Sequence, residues 1–197
     1  MMRIVIFDYG AGNLHSLAKS LAGAGRAVRV EPDPVAILDG DLLVLPGVGA
    51  FGPAAARLAP AREQVRDAVA AGHPTLGICL GMQLLFDESD EGAGCGLGVF
   101  AGRVGRLRAR RTPQIGWNTL DEIRDPQLES SGLAIAYYAN RYVCRPRAGA
   151  DIVAWSTHET DRFPAVVRRG CCVGVQFHPE KSSAPGIRFL DSYLRSL

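Results

Sequence analysis

The chain has 197 residues, 47% hydrophobic and 21% charged, and 22 Lys and Arg against 20 Asp and Glu leave a net charge of +2. That composition is globular rather than disordered, and the length suits one domain with a core that needs neither disulfides nor metals. The balanced charge gives no reason to expect a nucleic-acid or anionic-membrane partner, and no apolar run reaches the roughly 18 residues of a membrane span.

Met1-Met2-Arg3 leads into Ile4-Val5-Ile6-Phe7 and then Asp8, too short an apolar stretch for a signal peptide, so residues 3–7 read as a first strand. Residues 13–24 carry Leu14, Leu17, Ala18 and Leu21 at helical spacing, with Gly23 and Gly25 as stop signals. Residues 27–30 make a second strand, and 41–45 a third that ends at Pro46-Gly47. Residues 61–71 are helical, with Val65, Ala68 and Val69 on one face and Gly72 at the end. Residues 75–78 form a fourth strand, followed at once by a helix over 80–86. This alternation predicts an open, mostly parallel sheet flanked by helices, with ligands beyond the carboxyl ends of its strands.

The second half differs. Residues 92–105 are glycine-rich and irregular; 104–107, 137–143, 152–155, 165–168 and 172–177 read as strands, several antiparallel. Residues 186–197 form a closing helix with Ile187, Leu190, Tyr193 and Leu194 on one face. With no repeat and no linker, 1–197 is expected to be a single domain. Arg103, Arg106, Arg108, Arg110 and Arg111 are spaced mainly alternately, as on the solvated face of an edge strand. The five cysteines, Cys79, Cys95, Cys144, Cys171 and Cys172, are odd in number and include no CxxC pair. Neither a disulfide framework nor a zinc site follows, and a reducing cytoplasm is the simpler setting.

Gly77-Ile78-Cys79-Leu80-Gly81 follows an apolar strand and opens a helix. It is a nucleophile elbow with Cys in the position of Ser. The glycines permit the sharp turn, and the helix N-terminus favours the thiolate. The Leu80 amide then faces a developing oxyanion. Such a Cys needs a base, and the base needs an orienting group. Of four histidines, His15 lies in the first helix, His73 precedes Pro74 in a loop and His158 belongs to a surface loop. His178 stands in Gln176-Phe177-His178-Pro179-Glu180-Lys181-Ser182. Pro179 biases His178 to an extended conformation, which puts Glu180 on the same side. Two glycine-bearing loops sit at strand ends: Pro46-Gly47-Val48-Gly49, able to present amides to an anion, and Asp8-Tyr9-Gly10-Ala11-Gly12-Asn13, which does not satisfy the dinucleotide pattern.

The elbow with Met82-Gln83-Leu84-Leu85, the His-Pro-Glu segment and the 46–49 loop resemble the class I (triad) glutamine amidotransferases, and the resemblance covers nearly the whole chain. The 8–13 loop, Gly116-Trp117-Asn118 and Glu180-Lys181-Ser182 are similar to the subfamily of glutaminase subunits of imidazole glycerol phosphate synthases. The resemblance implies a flavodoxin-like α/β fold with an antiparallel extension. It implies that Cys79 attacks the γ-carboxamide of L-glutamine, His178 is the acid and base, and Glu180 orients it. The oxyanion is held by Leu80 and the loop bearing Gly47 and Gly49, at Gly49 after a peptide flip; one such donor is worth roughly 3 kcal/mol. Gln83 and Glu91 hold substrate, Glu91 at its ammonium, and the segment containing Arg141 and Tyr142 gives backbone contacts to its carboxylate. No cofactor or metal is implied. Ammonia passes to a (β/α)₈-barrel cyclase subunit, toward which Trp117, Asn118, Tyr138 and Lys181 face.

Two positions depart from the family pattern. Gln114 stands where the family has His before x-Gly-Trp-Asn, and Arg141 where it has a small hydroxyl residue. Other readings are an ammonia donor to a related cyclase-like partner that aminates another sugar, a cysteine hydrolase or peptidase on the same sheet, and a non-catalytic binding module.

Overall fold

A computed structural model describes every residue except Ala11 and Asn13. In chain order the elements are β1 (Met2–Phe7), α1 (His15–Leu21), β2 (Arg26–Glu31), β3 (Leu42–Leu45), α2 (Phe51–Leu58), α3 (Arg62–Ala70), β4 (Thr75–Ile78), α4 (Leu80–Leu84) and β5 (Glu88–Ser89). There follow β6 (Gly102–Arg106), β7 (Gln114–Thr119), α5 (Pro126–Ser131), β8 (Ile135–Asn140), β9 (Tyr142–Pro146), β10 (Ile152–His158), β11 (Asp161–Arg169), β12 (Cys172–Val175) and α6 (Ser183–Arg195).

The main sheet has the order β10-β11-β12-β4-β3-β1-β2. From β2 to β12 the neighbours are parallel, and β11 and β10 add an antiparallel extension. Each central strand serves two cores because its residues alternate faces. Ile4 and Ile6 pack with Val44, Leu76 and Phe189 on one face; Val5 and Phe7 pack with Leu43, Leu45 and Phe51 on the other. Strands covered on both faces read as unbroken apolar runs, which is why 3–7, 41–45 and 75–78 are conspicuous in the sequence.

The order 2-1-3-4 across the parallel half is that of flavodoxin-like sheets, whose ligands sit beyond the carboxyl ends of the strands. Register brings several of those ends together. Leu45 pairs with Gly77, and Ile78 with Val175, so the residues that follow emerge side by side.

Three expectations change. Phe51 and Gly52, read as the end of the loop after the third strand, together with 53–58, to which the sequence assigns no element, form α2, which buries Phe51, Ala54, Ala55 and Leu58 at helical spacing. The expected strand 137–143 is two strands: β8 pairs with β7 in a hairpin, β9 with β6 in a separate sheet, and the chain turns at Arg141. The arginines do not line one edge strand. Arg103 and Arg106 lie on β6, the middle strand of its sheet, whereas Arg108, Arg110 and Arg111 lie in the following loop, whose amides bind Asp161 and Glu159.

Candidate active site

Cys79 joins β4 to α4 at φ 48° and ψ −102°, a strained backbone for a residue with a side chain. The turn is tight on both flanks. A Cβ on Gly77 would lie 2.7 Å from the Gly81 carbonyl, and one on Gly81 would lie 1.9 Å from the Leu45 oxygen. Only glycine fits either place. The Cys79 amide bonds the Val175 carbonyl at 2.7 Å, and its carbonyl accepts from the Gln83 amide at 3.1 Å to start the helix.

The chain leaves β12 through Gln176 and Phe177 to His178, whose amide donates to the Tyr137 carbonyl at 2.9 Å. His178 itself is extended, as Pro179 predicts, but Pro179–Lys181 is a turn of 3-10 helix rather than a continued extended segment. That turn carries Glu180 back to the imidazole, with Nδ1 and Oε1 2.8 Å apart. Both side chains are more than nine-tenths buried. The other edge of the imidazole meets Cys79. A Cβ placed on Gly47 would be 2.7 Å from His178 Cε1 and 3.0 Å from Cys79 Cβ, so the 46–49 backbone runs against both. Cys79, His178 and Glu180 therefore lie together.

Burial by itself would lower the pKa of His178. Hydrogen bonds to Cys79 and Glu180, and the negative charge each can carry, outweigh it and raise the pKa to about 10. His178 thus favours its protonated form, with Glu180 at one ring nitrogen and Cys79 close by. Cys144 and Cys172 are buried without such partners; burial pushes the first well up and the second to about 12, which leaves them unreactive. Among the described residues no group of three or more His, Cys, Asp or Glu is gathered to hold a metal ion.

The 46–49 loop is braced from the β1 side. The buried Tyr9 hydroxyl donates to the Pro46 carbonyl, and its pKa is raised by burial and then by the charges of Cys79 and Asp8. A Cβ on Gly12 would sit 2.8 Å from Val48 Cβ. Tyr9 and Gly12 therefore brace the loop next to Cys79; Ala11 and Asn13 of the 8–13 loop lie outside the described residues. Gly49 occupies the left-handed region at φ 104°, and Leu80 is the first residue of α4. A cleft of about 240 Å³ opens beside the triad between Gly47, Val48, Glu180, Lys181 and α1.

The remaining sequence candidates divide. Gln83 is buried, and its Nε2 donates to the Tyr142 carbonyl at 3.1 Å. Glu91 is half-buried and accepts from the Phe51 amide at 2.9 Å, so here it caps α2. Arg141 is exposed, and its carbonyl accepts from the Leu107 amide. Tyr142 is half-buried. Trp117 is 55% exposed and meets Tyr137 edge-on at 6.0 Å. Asn118 donates to the Thr157 carbonyl, and Lys181 is exposed.

Tyr138 must be corrected. It is fully buried, bonded to Ser156 at 2.5 Å and edge-on to Phe163 and Phe177. Strand parity explains this: Tyr138 pairs with Gly116 on the inward face of the β7–β8 hairpin, whereas Tyr137 pairs with Trp117 on the outward face. Two residues near the nucleophile, Tyr9 and Gln176, stood in the quoted motifs without a role. Ile115 and Ile135, 69% and 51% exposed beside Trp117, carried no motif signal.

The comparisons agree with this geometry. A family profile described as "Glutamine amidotransferase class-I" matches residues 5–194. The chain is 46% identical to "Imidazole glycerol phosphate synthase subunit HisH" of Symbiobacterium thermophilum, over 99% of this chain and 94% of that one. It is 44% identical to the protein of the same description from Methylococcus capsulatus, over 99% and 97%. Among solved structures, "Structure of PurLQS from Thermotoga maritima" superimposes with a TM-score of 0.75 at 18% identity, covering 100% of this chain and 99% of that one. "Crystal structure of glutamine amidotransferase" does so with a TM-score of 0.71 at 21% identity, covering 96% and 98%.

Proposed function

The chain belongs to the class I glutamine amidotransferases, and from that premise we propose that it is the glutaminase subunit of an imidazole glycerol phosphate synthase in histidine biosynthesis. As a single amidotransferase domain it hydrolyses L-glutamine to glutamate and ammonia. The observation that carries the chemistry is His178 wedged between Cys79 and Glu180 at the ends of adjacent parallel strands.

Cys79 Sγ attacks the γ-carboxamide carbon. The oxygen, now an anion, takes the Leu80 amide and, after the 48–49 peptide turns over, the Gly49 amide. His178 gives its proton to the departing nitrogen, so ammonia leaves and a glutamyl thioester remains. The neutral imidazole then takes a proton from water, whose hydroxide attacks the thioester carbon; glutamate leaves and the proton returns to the sulfur–imidazole pair. Glu180 keeps the imidazole in one tautomer throughout. Gln83 and Glu91 hold the substrate, and the amides of the 138–142 segment, with Arg141 and Tyr142, meet its carboxylate.

Ammonia released into water is largely protonated and lost as a nucleophile. The product therefore passes to a (β/α)₈-barrel cyclase subunit, which forms imidazole glycerol phosphate and AICAR. The cleft beside Glu180 and Lys181 gives it a way out. The docking face comprises Trp117, Asn118 and Lys181, with Tyr137 in place of Tyr138. The chain works in the cytoplasm, which suits its free cysteines. Among the described residues no helix is long and apolar enough to cross a membrane.

Glutamine hydrolysis measured with and without the cyclase subunit tests this. The expected result is a weak rate alone and at least a tenfold rise with the substrate-loaded partner; a high rate indifferent to the partner refutes it. Cys79→Ala abolishes glutamine-dependent cyclisation and spares cyclisation fed with ammonium salt. Loss of both would make Cys79 a structural residue.

A further inference from the structure

Two buried glutamines run from the backbone of β9 to the sulfur of Cys79, and donors and acceptors alternate along them in one sense only. The Tyr142 carbonyl can only accept, and it receives the Gln83 Nε2 at 3.1 Å. The same NH₂ group faces Gln176 Oε1 at 3.5 Å. With its oxygen committed there, Gln176 turns its own NH₂ to Cys79 Sγ, also at 3.5 Å. Gln176 has no exposed surface, so water does not compete for it. Turned over, it would set NH₂ against NH₂ at Gln83 and a carbonyl oxygen against the sulfur. A fixed backbone carbonyl thus selects, through one side chain, the orientation of the next.

We propose that Gln176 is a positioning residue for the nucleophile, donating to the Cys79 sulfur in an orientation enforced by Gln83 and the Tyr142 carbonyl. The proposal rests on the reading of Cys79 as the nucleophile. The thiolate has two donors of different kinds. His178 must surrender its proton when ammonia leaves, whereas the Gln176 amide keeps its protons throughout the cycle. It holds the sulfur in one rotamer through both half-reactions and adds a second hydrogen bond to the sulfur anion beside the charged imidazole, as a donor to a charged group does in a water-free site.

The test is alkylation of the intact chain by iodoacetamide across a range of pH, read by mass spectrometry on the peptide that contains Cys79, because exposed Cys95 and Cys171 also react. No glutamine or partner is required. Gln176→Met keeps the length and removes the donor; Cys79 alkylation at neutral pH slows about tenfold, and the pH of half-maximal rate rises by about one unit. Gln83→Met leaves Gln176 free to turn over, and the rate falls by about two- to threefold. A Gln176→Met profile that superimposes on that of the unaltered chain overturns the proposal and reduces Gln176 to a space-filling residue. Should Gln176→Met not fold, Gln83→Met decides alone: an unchanged profile overturns the relay. If Cys79 of the unaltered chain reacts no faster than Cys95 and Cys171, the premise of an activated nucleophile fails, and the proposal with it.

Discussion

An imidazole as deeply buried as His178 ordinarily sheds its proton, because a charge in an apolar surrounding is costly. His178 keeps it, with a pKa of about 10, because Cys79 and Glu180 flank it. The sign of the linkage follows. The folded value lies above the ordinary 6.5, so the stabilisation from this site is complete below pH 6.5 and is lost as pH rises toward about 10. In the proposed mechanism the proton on His178 is the one delivered to ammonia, so its loss is expected to set the alkaline limb of the rate. Glu180→Gln withdraws one of the two groups that hold it. The expected outcome is an alkaline limb displaced to lower pH and a kcat lower by roughly 10²–10⁴-fold, as when a triad loses its orienting carboxylate. The measurement is kcat against pH for the assembled enzyme, and an unmoved alkaline limb would show that Glu180 does not govern that proton.

Among the elements, α2 is the one whose cap also bears on the reaction. Its N-cap, Ala50, offers no side-chain acceptor, and the carboxylate of Glu91, forty residues later, takes the Phe51 amide instead. Because the 46–49 loop runs directly into α2, this cap anchors the far end of the segment proposed to turn over. Glu91 has also been assigned the substrate ammonium, and two substitutions separate the roles. Glu91→Gln retains an acceptor for Phe51 and loses the charge; its thermal midpoint stays near that of the unaltered chain while KM for glutamine rises at least tenfold. Glu91→Ala loses both, and unfolding costs about 1 kcal/mol less. Equal KM in the Gln variant would confine Glu91 to capping. The sequence hid this arrangement because Gly52-Pro53 looks like a break. Proline in a first helical turn gives up an N–H that had no partner, so nothing is lost there. The elements that were legible, β1, β3, β4 and α6, announce themselves by apolar period alone. Cys79 and His178 are legible for another reason: their neighbours Gly77, Gly81 and Pro179 constrain the backbone locally. Glu180 reached His178 by a different route from the one expected, since the turn over Pro179–Lys181 depends on the Ser182 hydroxyl, which accepts from the Tyr137 amide of β8 and donates to the His178 carbonyl. Tyr138 was expected on the partner face, where Tyr137 lies instead, because a run of apolar and aromatic residues does not reveal strand parity. Only the pairing of β8 with β7 does.

For the molecule as a whole, the β7–β8 hairpin turns the largest apolar side chains of its outer face away from every core. Ile115 is paired with Ala139, Trp117 with Tyr137 and Thr119 with Ile135, and these six side chains share the outward side. Their inward counterparts, Gln114, Tyr138 and Asn140, are buried. Contiguous exposed Ile, Trp and Ile on a stiff two-stranded ribbon is what a partner surface looks like. The Asn118 and Thr157 contact ties this ribbon to β10, and His158 in turn bonds the Arg111 carbonyl, so the arginine loop is stapled beside it. Ile115→Asp puts a charge on that face without touching the triad or either core. In the isolated chain the side chain is already in water, so its thermal midpoint should move by no more than a surface substitution moves it, about 0.5 kcal/mol in stability. In the proposed complex the carboxylate must lose its water against apolar contacts, and Kd for the proposed cyclase subunit should rise by roughly 30-fold or more. Titration calorimetry on the purified subunits measures this. An unaltered Kd would mean that the hairpin faces solvent in the assembled enzyme, and that the partner sits on another side of the carboxyl-end surface.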